Sequence, residues 1–436
     1  MRAQRGNRKV YPSDITIVYS SSRFYRDAWQ RQILIVHFVF MNSSTRKTFN
    51  ENFTEEKYQK LLADLNAGLD EPIAFRVAET PVFLTDDFRD RLLAAGKDII
   101  DVILQPDFKQ LTERAIPDRW RVPNENDHPH FIALDFGVCS DEYGNIVPKL
   151  IELQGFPSLY GFQVKLAETY SAAFEIGEEW SPFFNGLTRH TYLELLRKTI
   201  VGDYPPDEVV LMDVNAHEQK TYVDFFYTQH FIGTPVVALE DLEQEGKMLF
   251  YRQDGRRRPV TRIYNRLIFD EIENNAELLS KVVDVTQPLD VQWITHPNWF
   301  YRVSKFTMPF LTGEYVPKTQ FLHEIKTIPA DLENYVLKPL FSFAGQGVII
   351  DVSKNDLANI KDPENWILQQ KVNYEPVVKS PEGDVKVEIR LLYLWPDGDE
   401  KPTLAINLAR LSRGKMIGVR YNKDFTWVGG TVAMMK

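Results

Sequence analysis

Residues 131–160 read FIALDFGVCSDEYGNIVPKLIELQGFPSLY, and the reading of this stretch decides the fold. Two strand-like runs, His130–Val138 and Ile146–Gln154, flank Ser140-Asp-Glu-Tyr-Gly-Asn145, a cluster of turn-forming residues, so the spacing predicts a β-hairpin. With the turn centred on Tyr143-Gly144, Asp135 stands directly opposite Glu152, with Cβ atoms about 5 Å apart. Gln154 and Ala133 continue that face, while Leu134, Phe136, Val138, Ile151 and Leu153 form an apolar reverse face. Two carboxylates this close repel unless one is protonated or a cation lies between them, and hard oxygen donors at this spacing suit Mg²⁺. A solvent-exposed acidic hairpin accounts for the same residues.

Towards the C-terminus, strands are predicted at Tyr335–Lys338, Val348–Asp351 and Ile367–Val372. Between the first two, Ser342, Ala344, Gly345 and Gly347 make a small-residue loop whose backbone N–H groups can close over phosphates, with Lys338 as a fixed charge. An ordinary flexible turn with an exposed lysine fits equally. Two longer strands, Val385–Trp395 and Thr403–Leu411, follow; a symmetric loop over Pro396–Pro402 sets Glu388 opposite Arg410, with Arg390 on the same face. That face is a polar cleft or a structural cross-strand salt bridge.

Towards the N-terminus, helical periodicity covers Glu55–Leu65 and Asp86–Leu104, the second with Thr85 as N-cap. A helical stretch runs to about Phe174. Beyond it, VVLMDV from Val209, a helix over His217–Gln229 and TPVVAL make a βαβ unit without the glycine fingerprint of a dinucleotide site.

The chain has 436 residues, 44% hydrophobic and 26% charged, which excludes disordered and fibrous classes and predicts two or three domains. Its net charge of -10 argues against nucleic acid or an anionic membrane as partner. The single cysteine, Cys139, cannot form an internal disulfide, and neither a signal segment nor a membrane helix is legible, so the expected compartment is the cytoplasm. Cys139 has no nearby histidine to activate it, and His128, His130 and His217 complete no zinc motif. The basic residues 1–14 read as a loose tail.

Six C-terminal motifs converge: Lys305 in RVSKFTMPFL, VPKT, VLKP with GQGV, ILQQKV, VEIR, and Arg410 with Asn422 and a Gly429-Gly430 pair. Together they resemble the nucleotide half of ATP-grasp enzymes. The ALDFGV and LIELQGFPSLYGFQ segments look like the metal hairpin that normally comes last in that fold, and here they come first. This order is similar to that of circularly permuted ATP-grasp proteins related to glutathionylspermidine synthase, with the region around IYNRLIFDE resembling their pre-ATP-grasp domain.

The resemblance implies an α/β (α+β) fold with a helix-rich region at 1–125, the metal hairpin and following helix at 126–185, a pre-ATP-grasp domain at 186–295 and a nucleotide-binding region at 296–436. It implies ATP and Mg²⁺ as cofactors: Lys305 and Lys338 as nucleotide lysines, Ser342, Gly345, Gln346 and Gly347 as the phosphate flap, and Gln369, Gln370 and Val372 as the adenine hinge. Asp135, Glu152 and Gln154 become metal ligands, although the family commonly has Asn where Gln154 stands. Arg410, Glu388 and Arg390 are the catalytic candidates. The implied reaction joins a small-molecule or peptide carboxylate to an amine or thiol through an acyl phosphate. The same nucleotide site would serve a phosphotransferase, or a nucleotide-binding protein without turnover.

Overall fold

The 131–160 hairpin forms, but in the interior of a sheet rather than on the protein's surface. The computed structural model describes residues 40–269, 282–341, 346–414, 417, 422 and 424–436. Ser342, Ala344 and Gly345 of the expected flap, and the basic tail, lie outside the described residues.

In chain order, helices α1 (Ser43–Asn52), α2 (Glu55–Asn66) and α3 (Asp86–Ile103) precede strands β1 (Phe131–Ser140) and β2 (Ile146–Gln154) and helix α4 (Tyr160–Phe174). Helix α5 (Arg189–Ile200) leads to β3 (Val209–Asp213), α6 (Tyr222–Ile232), β4 (Val236–Ala238), β5 (Arg262–Asn265) and β6 (Gln292–Ile294). The remainder contributes β7 (Thr319–Phe321), β8 (Tyr335–Pro339), β9 (Ile349–Ile350), β10 (Trp366–Gln370), β11 (Gly383–Leu394), β12 (Thr403–Ser412) and β13 (Gly429–Thr431).

The main sheet runs in the order β13-β12-β11-β1-β2, antiparallel throughout. Strand β1 is buried along nearly its whole length because β11 pairs on one side of it and β2 on the other. The exposed acidic ribbon is therefore excluded. The expected hairpin register holds from Ala133↔Gln154 to Asp135↔Glu152, then slips by one at a bulge so that Phe136 faces Leu150. The β11–β12 register matches the symmetric-loop expectation at Glu388↔Arg410 and slips only beyond Leu392.

A second sheet, of order β6-β5-β3-β4, is parallel and contains the expected βαβ unit. Its helix starts later than expected: residues Ala216–Glu218 form a 3₁₀ turn before α6 begins at Tyr222. A third, antiparallel sheet has the order β7-β10-β8-β9, and β10 ends at Gln370 rather than Val372. Thr85 caps α3 as expected, its side chain accepting from Phe88 N. The region before residue 125 is more than helical, since Val82–Phe83 pairs in parallel with Ala433–Met434.

Helix α4 packs against α2 and α6. The approach to α6 requires glycine at 161, where a Cβ would lie 2.8 Å from the backbone nitrogen of Thr228. Asp224 of α6 is fully buried and caps α4: its carboxylate accepts from the backbone N–H groups of Leu159 (2.7 Å), Gly161 (2.8 Å) and Phe162 (3.0 Å). A carboxylate at a helix N-terminus meets both unsatisfied donors and the positive end of the dipole. Leu159, held at φ 77°, is the turn so fixed.

Two buried histidines make stability depend on acid. Burial pushes His130 down to about 4 against its bond to Asp397, and does the same to His296 against its bond to the Pro123 carbonyl. Both stay neutral while the unfolded chain takes up protons as pH falls from 6.5 to 4, so the unfolded state binds more protons there and stability falls with pH. The expected loss is about 3 kcal/mol per histidine across that window. Urea midpoints measured at pH 7 and pH 4.5 should differ strongly, and His130→Gln should shrink the difference; an unchanged difference would refute the assignment.

Candidate active site

The polar face of the main sheet is a network of alternating charge. Asp135 is 1% exposed and is gripped from β11 by Arg390, whose Nε and Nη2 donate to Oδ1 and Oδ2 at 2.6 Å each. From β12, Arg410 Nη2 donates to Asp135 Oδ2 at 2.8 Å and also to Glu388 Oε1, and Tyr374 donates its hydroxyl proton to Glu388 Oε2 at 2.9 Å. Burial pushes the Asp135 carboxyl up, but the guanidiniums of Arg390 and Arg410 outweigh it and hold it below the usual range. At Glu388 burial wins over the pull of Arg410, and the carboxyl is raised. The guanidiniums of Arg390 and Arg410 thus relieve the repulsion expected between Asp135 and Glu152, and both Asp135 oxygens accept from them.

Glu152 and Gln154, at the end of β2, face a cavity of about 520 Å³. Gln154 Nε2 donates to Glu152 Oε1 at 2.7 Å. Lys305 lines the same cavity from a 3₁₀ turn over Lys305–Phe310, and its burial pushes the ammonium down to about 8 despite the attraction of Glu152, with Lys338 lowering it further. Lys338, half-buried on β8, donates Nζ–H to the Ile151 carbonyl at 3.0 Å, across 187 residues of sequence. Burial lowers its ammonium too, against Glu152, Glu388 and Asp135.

Not every expected residue joins this cluster. Arg390 lines the cavity; Asp135, Glu388 and Arg410 stand behind it. Gln346 and Gly347 are exposed, with Gly347 at φ 72° beside Pro339, while Leu340 and Phe341 at the flap's base reach the cavity. Gln369 is buried in the middle strand of the third sheet, Gln370 is exposed and Val372 half-buried; none of the three lines the cavity. Cys139 is buried, and burial pushes its thiol up to about 12, the state of an inert thiol.

Arg266, which belongs to none of the sequence motifs, also joins the site. Its guanidinium is 8% exposed, lines the cavity, lies 4.7 Å over the Phe156 ring and donates Nη1 to the carbonyls of Phe156 (3.3 Å) and Pro157 (2.5 Å). Among the described residues no carboxylate pairs with it, and its Nε has no partner. Arg266 directly follows β5 and Asp213 ends β3, so both stand at the carboxyl ends of parallel strands, where ligands of α/β sheets bind. That position was the available signal. In a chain of net charge -10, four cations (Lys220, Arg266, Lys305, Arg390) and three carboxylates (Glu152, Asp213, Glu218) line the cavity, a local balance suited to an anionic ligand.

Fold and site together define a mixed α+β protein with a charged cleft at the carboxyl ends of a parallel sheet. The architecture is similar to that of a glutathione synthetase-like effector from Globodera pallida solved in apo form, with a TM-score of 0.55 at 11% identity, covering 89% of this chain and 97% of that one. At that identity the likeness is one of fold. No protein-family model matches the sequence, and no curated protein sequence matches it. No helix among the described residues is long and apolar enough to cross a membrane.

Proposed function

We propose that this chain is an ATP- and Mg²⁺-dependent ligase of the ATP-grasp type, in circularly permuted order, joining a carboxylate to an amine or thiol through an acyl phosphate. One observation carries the reading: Lys305, Lys338 and the Glu152–Gln154 strand end, distant in sequence, gather around Glu152 with Lys338 bonded to Ile151 O at 3.0 Å. The fold's likeness to a glutathione synthetase-like protein supports it. In this reading the β3-α6-β4 region is the pre-ATP-grasp domain.

The chain's own contribution is positioning and charge. Lys305 and Lys338 hold the phosphates, Arg390 meets charge developing on the transferred phosphoryl group, and Asp135, Glu388 and Arg410 fix Arg390 from behind. Arg266 holds a carboxylate. The substrate carboxylate oxygen attacks the γ-phosphorus as ADP leaves; the amine or thiol then attacks the acyl carbon, phosphate leaves and the nucleophile's proton is lost.

The donor chemistry fits a divalent cation in part. Glu152 and Gln154 offer hard oxygens in the cavity, whereas Asp135 does not, since its oxygens already accept from two guanidiniums. Among the described residues no group of three His, Cys, Asp or Glu side chains forms a metal site, so phosphate oxygens would have to complete the shell. Mg²⁺ held there would neutralise phosphate charge. The engagement of Asp135 also favours a second reading, nucleotide binding without turnover.

The test is phosphate release with pooled amino acids, polyamines and small peptides. A ligase gives acceptor-dependent release; a stable phosphorylated product marks a phosphotransferase, and ATP binding with no release under any acceptor marks the binding protein. Glu152→Gln should abolish Mg²⁺-dependent release and lower the urea midpoint modestly, since it removes a charge that attracts the buried Lys305 and Lys338. Full activity in a folded Glu152→Gln variant would refute its assignment.

A further inference from the structure

Beside its charged residues the cavity carries an aromatic wall. Phe156 and Phe300 meet edge to face at 5.6 Å, Phe300 and Tyr301 at 4.9 Å, and Tyr301 and Phe341 at 6.3 Å, all four on the cavity wall. Phe341 is 39% exposed, one of few large apolar side chains left so open among the described residues. A hydroxyl or amide gains little from such a wall, because covering it desolvates the polar group without replacing its hydrogen bonds. An apolar group gains by removing its own surface and that of the rings from water, and rings set edge to face accept a further ring in the same geometry.

On the same cavity wall Arg266 is buried with no carboxylate in direct ion pair among the described residues. The buried Asp224 carboxylate attracts it only at a distance, being bonded to three backbone N–H groups, so a ligand carboxylate would supply the direct pair that Arg266 lacks. Lys305 and Arg390 line the cavity as well. The volume of about 520 Å³ is that of a site for a drug-sized ligand, more than a phosphoryl group and a glycine-sized molecule would fill.

Resting on the ligase reading above for the phosphate end only, we propose that the cavity selects a substrate carrying a free carboxylate and a bulky apolar, preferably aromatic, side chain. The carboxylate is held by Arg266, and the side chain lies against Phe300, Tyr301 and Phe341, which thereby determine specificity.

The test uses binding, which needs no turnover. N-acetyl-L-phenylalanine, N-acetyl-L-serine and N-acetylglycine are titrated into the full chain by ligand-observed NMR, with ATP calorimetry run in parallel on the same preparation. The expected result is at least tenfold tighter binding of the phenylalanine derivative, a preference that Phe341→Ser reduces to under threefold and that Arg266→Lys weakens for all three probes alike. Phe341 is partly exposed, so its variant should fold even if the arginine variant does not. Equal affinities, tighter binding of the serine or glycine derivative, or no binding of any probe would overturn the proposal. ATP binding with no aromatic preference sinks this inference alone; aromatic preference with no ATP binding sinks the ligase reading alone.

Discussion

Asp135→Asn is expected to destabilise the protein by about 3–5 kcal/mol, the cost of breaking a buried ion pair from one side. The carboxylate takes three hydrogen bonds from Arg390 and Arg410, at 2.6, 2.6 and 2.8 Å, in the middle of the main sheet. Asparagine keeps one acceptor, places an N–H₂ group against a guanidinium and leaves Arg390 without its bidentate partner. Urea unfolding measures the loss directly. A double variant, Asp135→Leu with Arg390→Met, should regain part of it, since an apolar pair of suitable volume pays no desolvation. A single variant within about 1 kcal/mol of the parent, the scale of a surface ion pair, would show that the network is dispensable to the fold.

Lys338→Ala should weaken ATP binding by about 1.5–3 kcal/mol, the range for a hydrogen bond to a charged group, which is roughly 10- to 150-fold in Kd. Lys338 is half-buried, its ammonium lowered by burial, and its one described bond is to a backbone carbonyl. An incoming phosphate would therefore find a cation not yet neutralised by direct pairing. Calorimetry on the variant, with circular dichroism to verify folding, decides: unchanged affinity in a folded protein removes Lys338 from the nucleotide site.

Local signals carried the strands well. Alternation and turn chemistry placed Asp135 opposite Glu152 and Glu388 opposite Arg410, because cross-strand neighbours follow from the turn once its centre is known. What no hairpin pattern contains is the pairing of β11 with β1. That contact turns Asp135 from an apparent surface carboxylate into the buried anchor of two arginines 255 and 275 residues away. The bulge after Asp135 was equally hidden, since a single unpaired residue leaves apolar alternation intact on either side. Arg266 could have been found from its place after a parallel strand; its lack of a paired carboxylate depends on neighbours that only the tertiary structure supplies.

The pairing of β1 with β11 also bears on how the chain is made. Synthesis proceeds at about 5–20 residues per second, so β1 waits roughly 10–50 s for Arg390 to emerge. Throughout that interval the hairpin can form on its own, with Asp135 and Glu152 side by side and no guanidinium between them, and its apolar edge has no partner strand. The nascent chain therefore carries an open β-edge that charge repulsion weakens, a segment suited to chaperone capture until β11 emerges to complete the sheet.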